Sequence, residues 1–141
     1  MWDHLSGRPP LHDADVDLVY FDRNNRTPEC DWEFDDIVRK RFPFAMWEVR
    51  NQARMHVVDG SDPYSSTAEG ISHWVETATC VAVRLSQGRL SFLFCYGTQD
   101  LFNLVARPIP ALRSAAAQKL FESRIQKKKW TERWPSLKIV Q

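Results

Sequence analysis

Cysteine, glycine and long apolar runs are all scarce in this chain. The three cysteines (Cys30, Cys80 and Cys95) are far apart and form no Cys-x-x-Cys pair, which argues against a disulfide framework and a structural zinc site. Sparse, unpaired cysteines indicate a reducing, cytoplasmic setting. No apolar stretch is long enough to cross a bilayer, and the N-terminus lacks the apolar core of a signal peptide, so we expect no membrane partner.

A strong charge of either sign is also missing. The net charge is +1, which leaves a nucleic-acid partner open but gives it no support. The five glycines form neither a Walker A loop nor a Gly-x-Gly-x-x-Gly fingerprint, so a P-loop ATPase or a dehydrogenase of the dinucleotide-binding type is not supported. The length of 141 residues fits one domain, residues 1–141, with one core.

The strongest pattern present is an alternation of acidic and apolar residues in residues 15–22, Asp-Val-Asp-Leu-Val-Tyr-Phe-Asp. Its centre is β-branched and aromatic, which predicts a strand from about Asp15 to Phe21. Because side chains two residues apart share a face of a strand, Asp15 and Asp17 project together. Two adjacent carboxylates repel each other, and Mg²⁺ relieves that repulsion with the oxygen ligands it prefers. The alternative is an acidic strand edge that faces water.

A second alternation, in residues 45–58, predicts another strand with one mostly apolar and one polar face. A helix is the competing interpretation because Ala and Met favour helices, but the period of two is the cleaner pattern. Glu48 lies between two apolar residues on this segment. The same polar face carries side chains suited to gripping phosphate oxygens or donating to a substrate, namely Arg50, Gln52, Arg54 and His56. The alternatives are a solvated strand face and, for His56, an ordinary residue at a strand end.

If the two strands are neighbours, three carboxylates converge as a two-metal phosphoryl-transfer site requires. One metal would activate the attacking oxygen, and the other would hold the triphosphate and the leaving pyrophosphate. We therefore predict Asp15, Asp17 and Glu48 as catalytic residues, with Mg²⁺ or Mn²⁺ held by Asp15 and Asp17. Arg50 and Arg54 are the predicted phosphate ligands, accompanied by Gln52 and His56.

The remaining patterns place helices around these strands. Asp31 can cap a helix that has one apolar face, formed by Phe34, Ile37, Val38 and Phe42. Residues 77–85 and 90–96 read as a hairpin, and residues 112–129 as the longest helix. Its final lysines, 127–129, suit a solvated helix end better than an RNA contact. We predict an α+β (mixed α/β) domain with a single central mixed sheet and helices packed on it.

Several strings in the chain resemble one bacterial family of nucleotidyltransferase-like proteins. The most specific is Asn-Gln-Ala-Arg-Met-His at residues 51–56, preceded by Trp-Glu-Val-Arg at residues 47–50. Further matches run in order along the chain: Trp-Asp-His-Leu at 2–5, the acidic strand at 15–22, Tyr-Ser-Ser-Thr at 64–67, Trp-Val-Glu-Thr-Ala-Thr at 74–79, Tyr-Gly at 96–97, Asp-Leu-Phe at 100–102, and the tryptophans of 130–135.

The resemblance implies a fold of the DNA polymerase beta-like nucleotidyltransferase superfamily, with Mg²⁺ and transfer of a nucleoside monophosphate from an NTP. Asp15 and Asp17 match its acidic pair, and Glu48 fits its third carboxylate. The superfamily's Gly-containing phosphate turn, which precedes the acidic pair, has no good counterpart here, so we expect the N-terminal segment that carries it to be missing, either because the start codon is misassigned or because the chain is a natural truncation. Two alternatives follow: a catalytically inactive nucleotide- or RNA-binding relative, and an interaction domain with a solvated acidic strand.

Overall fold

The computed structural model describes residues 1–10, 15–112 and 114–140. The helices are α1 (Trp2–Leu5), α2 (Pro28–Arg41), α3 (Gln52–Asp59), α4 (Thr67–Ser72), α5 (Gln99–Phe102), α6 (Ala115–Lys128) and α7 (Trp130–Arg133). The strands are β1 (Asp15–Tyr20), β2 (Met46–Asn51), β3 (Val81–Ser86), β4 (Arg89–Phe94), β5 (Val105–Ala106) and β6 (Lys138–Ile139). No helix within these ranges has the length and apolar character needed to cross a bilayer.

The chain folds as two compact units, and the two carry net charges of opposite sign. Residues 10–70 form one unit, and residues 1–9 with 71–141 form the other. The first contains 13 Asp and Glu residues against 7 Lys and Arg, and the second contains 5 against 12. We call them the acidic unit and the basic unit. The net charge of +1 therefore results from two large and opposite local charges, which the total conceals.

The acidic unit is built on β1 and β2, which are parallel neighbours joined through α2. Pro28 opens α2 at a position where its missing N–H costs nothing. Asp31 was predicted to cap this helix, and this was wrong, because the helix begins at Pro28 after Thr27 and Asp31 lies inside it. Of the predicted apolar face, Phe34 and Ile37 are 41% and 56% exposed, whereas the helix residues that are buried are Asp31 and Asp35.

The basic unit has an aromatic core around Trp2, joined by Ala78, Leu101, Ala106, Phe121 and Leu137. The indole N–H of Trp2 donates to the carbonyl oxygen of Leu101 at 2.9 Å, so its burial leaves no polar group unpaired. The rings of Trp130 and Trp134 pack edge-on against Trp2, with centroids 5.6 and 5.2 Å away. These tryptophans therefore hold the short α7 on the core.

The mixed α/β class predicted from the sequence is confirmed, but the single central sheet needs correction. The described strands pair as three two-stranded sheets: β1–β2 parallel, β3–β4 antiparallel and β5–β6 parallel. For the β1–β2 pair the physical reason is visible at the edge of β2. The backbone N–H groups of Val49 and Asn51 donate to the side chains of Asp35 and Asp31, at 2.6 and 3.1 Å, rather than to a further strand. A single domain over residues 1–141 stays a prediction.

Candidate active site

The parallel pairing of β1 and β2 puts the three predicted carboxylates on one face of this strand pair. Asp17 lies directly beside Glu48 in the register, and Asp15 lies beside Met46. Side chains of register partners in parallel strands point the same way, and Asp15 shares that face because it lies two residues before Asp17. All three acidic residues are exposed. The two alternations in the sequence thus meet as neighbouring strands, and a solvent-facing ligand can reach the carboxylates.

The carboxylates do not form a ready-made metal cluster. Among the described residues, no group of three or more His, Cys, Asp or Glu side chains is arranged to hold a metal ion. One carboxylate oxygen of Glu48 instead lies 3.4 Å from the guanidinium of Arg50. The Glu48 side chain is half-exposed, so this ion pair is weak and can be rearranged when a ligand binds.

Arg50 is the predicted phosphate ligand that stays closest to the acidic face. Its Nη2 approaches Glu48, while its Nη1 donates to the backbone oxygen of Val49 at 2.7 Å and lies 3.4 Å from the buried carboxylate of Asp35. Asp35 therefore holds the guanidinium beside β2. Arg50 remains 29% exposed, which leaves part of this cation accessible to a ligand.

Arg54 has a different environment, because it neutralises the fully buried carboxylate of Asp31. Its Nε donates to Asp31 Oδ2 at 3.1 Å, and its Nη2 contacts the same oxygen. The other Asp31 oxygen accepts from the hydroxyl of Tyr20 at 2.7 Å and from the backbone N–H of Asn51. Burial, reinforced by the hydrogen bond to Asp31, raises the pKa of Tyr20 above its ordinary value. The surroundings of Arg54 thus indicate a structural partner for Asp31.

The predicted strand over residues 45–58 is correct only as far as Asn51. From Gln52 onward the chain is helical, because the Asn51 side chain accepts a hydrogen bond from the Ala53 backbone N–H at 3.0 Å and caps α3. The helix-forming residues that follow then outweigh the alternation. As a consequence, Gln52, Arg54 and His56 do not continue the polar strand face that carries Glu48 and Arg50.

Gln52 and His56 face inward from α3. Gln52 is 2% exposed, and its Oε1 has no hydrogen-bond partner among the described residues. The buried Nδ1 of His56 also lacks a partner there, and its ring lies edge-on to Tyr64 with centroids 6.0 Å apart. Their predicted roles in substrate binding stay predictions, although neither side chain is displayed on the acidic strand face.

Gly70 marks how closely Gln52 is packed. A Cβ at position 70 would lie 2.6 Å from Gln52 Oε1 and 2.9 Å from its Cβ, both shorter than real Cβ contacts. We expect Gly70→Ala to lower the free energy of unfolding by about 1–3 kcal/mol, as overpacking of a buried position does. Urea denaturation of Gly70→Ala, Gln52→Ala and the Gly70→Ala/Gln52→Ala double variant would measure this. The double variant should lose less stability than the sum of the two single losses, because alanine at position 52 removes the contact with Oε1 while the Cβ remains; a simple sum would contradict the contact.

The buried residues Asp31, Asp35 and Asn51 organise this site, and sequence reasoning missed what they do. Asp31 and Asp35 are four residues apart on α2, so they share one helical face. Asn51 occupies an apolar position of the second alternation. A pair of acids at helical spacing and an amide on the apolar face of a strand were the available signals. Each of these two signals is normally interpreted as a surface position or a turn, because charged and amide side chains are rarely buried.

Two comparisons with known proteins bear on this geometry. A family model described as nucleotidyltransferase matches residues 1–139. A structure solved by NMR, described as revealing a CCA-adding enzyme head domain, matches with a TM-score of 0.86 and 29% sequence identity. The match covers 99% of this chain and 75% of that one. No curated protein sequence is similar enough to count as a match.

Proposed function

Because the chain belongs to the nucleotidyltransferase family, we propose that it transfers a nucleoside monophosphate from an NTP to an acceptor hydroxyl. The observation that carries this proposal is the register of β1 and β2, which sets Asp17 beside Glu48 with Asp15 on the same exposed face. The nucleotidyltransferase family supports the use of an NTP, and the solved structure described as a CCA-adding enzyme head domain supports the fold. We also propose a cytoplasmic location, which the sparse free cysteines support.

The donor set on this face fits a divalent cation. Asp15, Asp17 and Glu48 offer only carboxylate oxygens, the hard ligands that Mg²⁺ and Mn²⁺ take in phosphoryl-transfer sites. We assign Asp15 and Asp17 to hold the ion. When bound, Mg²⁺ offsets the negative charge of the triphosphate and makes an attacking hydroxyl more acidic.

The reaction itself is an in-line displacement. The acceptor oxygen forms a bond to the α-phosphorus of the NTP, and the bond from that phosphorus to the bridging oxygen breaks, so that pyrophosphate leaves. We assign Glu48 to accept the proton of the acceptor hydroxyl, because it is the carboxylate of the three that is not given to the ion. Arg50, held by Asp35, is partly exposed and can donate to phosphate oxygens when its weak contact with Glu48 is exchanged. Arg54 has an indirect role: it neutralises Asp31, whose carboxylate accepts a hydrogen bond from the backbone of β2.

A second candidate is a non-catalytic relative that binds a nucleotide or RNA without turnover. The observation favouring it is that the described carboxylates form no metal cluster while Glu48 is paired with Arg50. The two candidates differ in one measurable respect. An enzyme releases pyrophosphate when NTP, metal and acceptor are present together, whereas a binding module does not.

Calorimetric titration of ATP, CTP, GTP and UTP into the purified protein tests the proposal, with Mg²⁺ or Mn²⁺ in one series and EDTA in the other. We expect saturable binding of at least one NTP that disappears in EDTA, because carboxylates alone repel a triphosphate. A pyrophosphate-release assay on the same samples, with candidate acceptors, separates the enzyme from the binding module. A folded protein that binds no NTP with either metal would overturn the proposed function.

A further inference from the structure

One side of the β3–β4 hairpin is apolar along both strands. Three apolar pairs lie opposite each other in its antiparallel register: Val81 with Phe94, Val83 with Phe92, and Leu85 with Leu90. Because side chains alternate along a strand, all six point to the same side of the ribbon. The outer part of the other side is polar, with arginine at positions 84 and 89 and serine at positions 86 and 91. We call the outer part of the apolar side, residues 83, 85, 90 and 92, the hairpin apolar face.

The inner end of the apolar side is covered, whereas the hairpin apolar face is not. Val81 and Phe94 pack against the core of the basic unit, and the ring of Phe92 stacks on that of Phe94 with centroids 6.3 Å apart. The four side chains of the face are 60–68% exposed: Val83, Leu85, Leu90 and Phe92. The apolar core of the basic unit therefore continues along the hairpin into solvent.

A ribbon of two strands gains stability when its apolar face is covered. Among the described strands, β3 and β4 pair only with each other, so no third strand of this chain extends the sheet. Isolated two-stranded hairpins are marginally stable in water, and packing of an apolar face is what makes a small sheet stable. A partner on the hairpin apolar face would therefore support the outer half of the ribbon and also remove apolar surface from water.

The area of the hairpin apolar face matches what a weak homodimer needs. With the exposed fractions of its four residues, the face presents roughly 500 Å² of accessible surface, more than the scattered apolar residues of a typical monomer surface do. Two such faces packed together would remove on the order of 1,000 Å² from water, which is the lower limit for a specific interface. This area predicts association in the micromolar range, weaker than that of an obligate dimer.

The chemistry of the face favours a second copy of the same face over a charged partner. Its four side chains carry no charge and no hydrogen-bonding group, so complementary charge on a partner would gain nothing there. When two copies pack face to face about a twofold axis, the arginines of both hairpins lie on the outer sides, away from the contact. Apolar sheet faces pack in this way about 10 Å apart in β-sandwiches. We propose that this chain forms a homodimer in which the hairpin apolar faces of two copies pack on each other.

Sedimentation velocity over protein concentrations from about 1 µM to about 1 mM tests the proposal, and wild type should pass from monomer to dimer within this range. Leu85→Thr/Leu90→Thr replaces one register pair by residues that keep a high strand propensity but bury less apolar area, so dimerisation should weaken at least about tenfold. The matched control, Ser86→Thr/Ser91→Thr, changes one residue on each strand on the opposite side of the ribbon and should dimerise as wild type does.

The response to salt identifies the force that holds the copies together. The hairpin apolar face is uncharged and the two basic units repel each other, so dimerisation should be unchanged or stronger when salt is raised from about 0.1 M to about 0.5 M. Association that weakens with salt and survives the Leu85→Thr/Leu90→Thr change would come from attraction between the acidic unit of one copy and the basic unit of another. That result would overturn the proposal.

A charge-swap experiment separates loss of the contact from loss of folding. Leu85→Lys/Leu90→Lys and Leu85→Glu/Leu90→Glu should each be monomeric alone, because like charges would meet across the twofold axis. An equimolar mixture of the two should regain the dimer, which a misfolded variant would not do. The proposal is overturned if wild type stays monomeric up to about 1 mM, if the serine control loses as much as the leucine variant, or if the mixture does not associate. None of these measurements uses an NTP, so failure of the proposed function would leave them unchanged.

Discussion

Replacing Asn51 by alanine is expected to lower the free energy of unfolding by about 3 kcal/mol or more, a large share of the total stability of a domain. Asn51 is fully buried, and every polar atom of its side chain is used. Its Nδ2 donates to the carbonyl oxygens of Asp22 and Asn25 at 2.8 and 2.7 Å. Its Oδ1 accepts from the backbone N–H groups of Asp22 and Ala53, each at 3.0 Å. Truncation removes this partner from all four backbone groups.

The consequence extends beyond stability, because Asn51 is the last residue of β2 and the cap of α3. The loop after β1 is tied to the end of β2 through Asp22 and Asn25, so the Asn51 amide connects the two strands that carry the carboxylates.

Chemical denaturation measures the stability loss of Asn51→Ala. Asn24→Ala, which changes an exposed amide in the same loop, is the control and should lie within about 0.5 kcal/mol of wild type.

Asn51→Asp gives the sharper test of the same contacts. The aspartate keeps the shape, but an ionised carboxylate would face two carbonyl oxygens that now receive N–H donors, so its pKa in the folded variant should rise above the ordinary value. A raised folded-state pKa means that the variant is relatively most stable at low pH, and that stability falls as the pH rises through that pKa. Wild type should not show this loss. A variant as stable as wild type at neutral pH would contradict the assigned hydrogen bonds.

The predictable part of this site was the part that rests on alternation. The patterns around Asp15 and Glu48 predicted two strands with acids on exposed faces, and the register then placed Asp17 beside Glu48. Alternation depends only on neighbours along the chain, so it can be read from the sequence. The hairpin of β3 and β4 was predicted for the same reason, since its turn and strands are local.

What could not be predicted depends on partners that are distant in sequence. Asp31 and Asp35 are buried because backbone N–H groups of β2 need acceptors, and Arg54 compensates the buried Asp31. The partners in these hydrogen bonds are 14 to 23 residues apart, so the periodicity of helices and strands does not predict which residues are paired. The prediction of a single sheet was wrong at β2 for the same reason, because the side chains of Asp31 and Asp35 accept the hydrogen bonds that a further strand would accept. Asn51 likewise appears as one polar residue in a strand until its four backbone partners are known.

Asp15→Asn/Asp17→Asn is expected to reduce nucleotidyl transfer at least about a thousandfold, because it removes both proposed ligands of the ion while keeping their size. Both residues are exposed, so the fold should survive the change. The measurement is single-turnover transfer at saturating NTP and metal, with calorimetry of NTP binding on the same protein. The control, Asp36→Asn/Asp62→Asn, removes two exposed charges from the same unit and should retain transfer within about twofold.

Glu48→Gln then separates two roles for the third carboxylate. If Glu48 accepts the proton, as we assign it, the variant should bind NTP and metal normally while its rate falls on the order of a hundredfold and no longer rises with pH as wild type does. If Glu48 is instead a ligand of the ion, the metal concentration needed for half-maximal rate should rise and excess metal should restore the rate. Full activity of both the Asp15→Asn/Asp17→Asn and Glu48→Gln variants would show that this face is not the catalytic centre. It would also exclude the β1–β2 pair as a whole, since the other face of the pair carries no carboxylate.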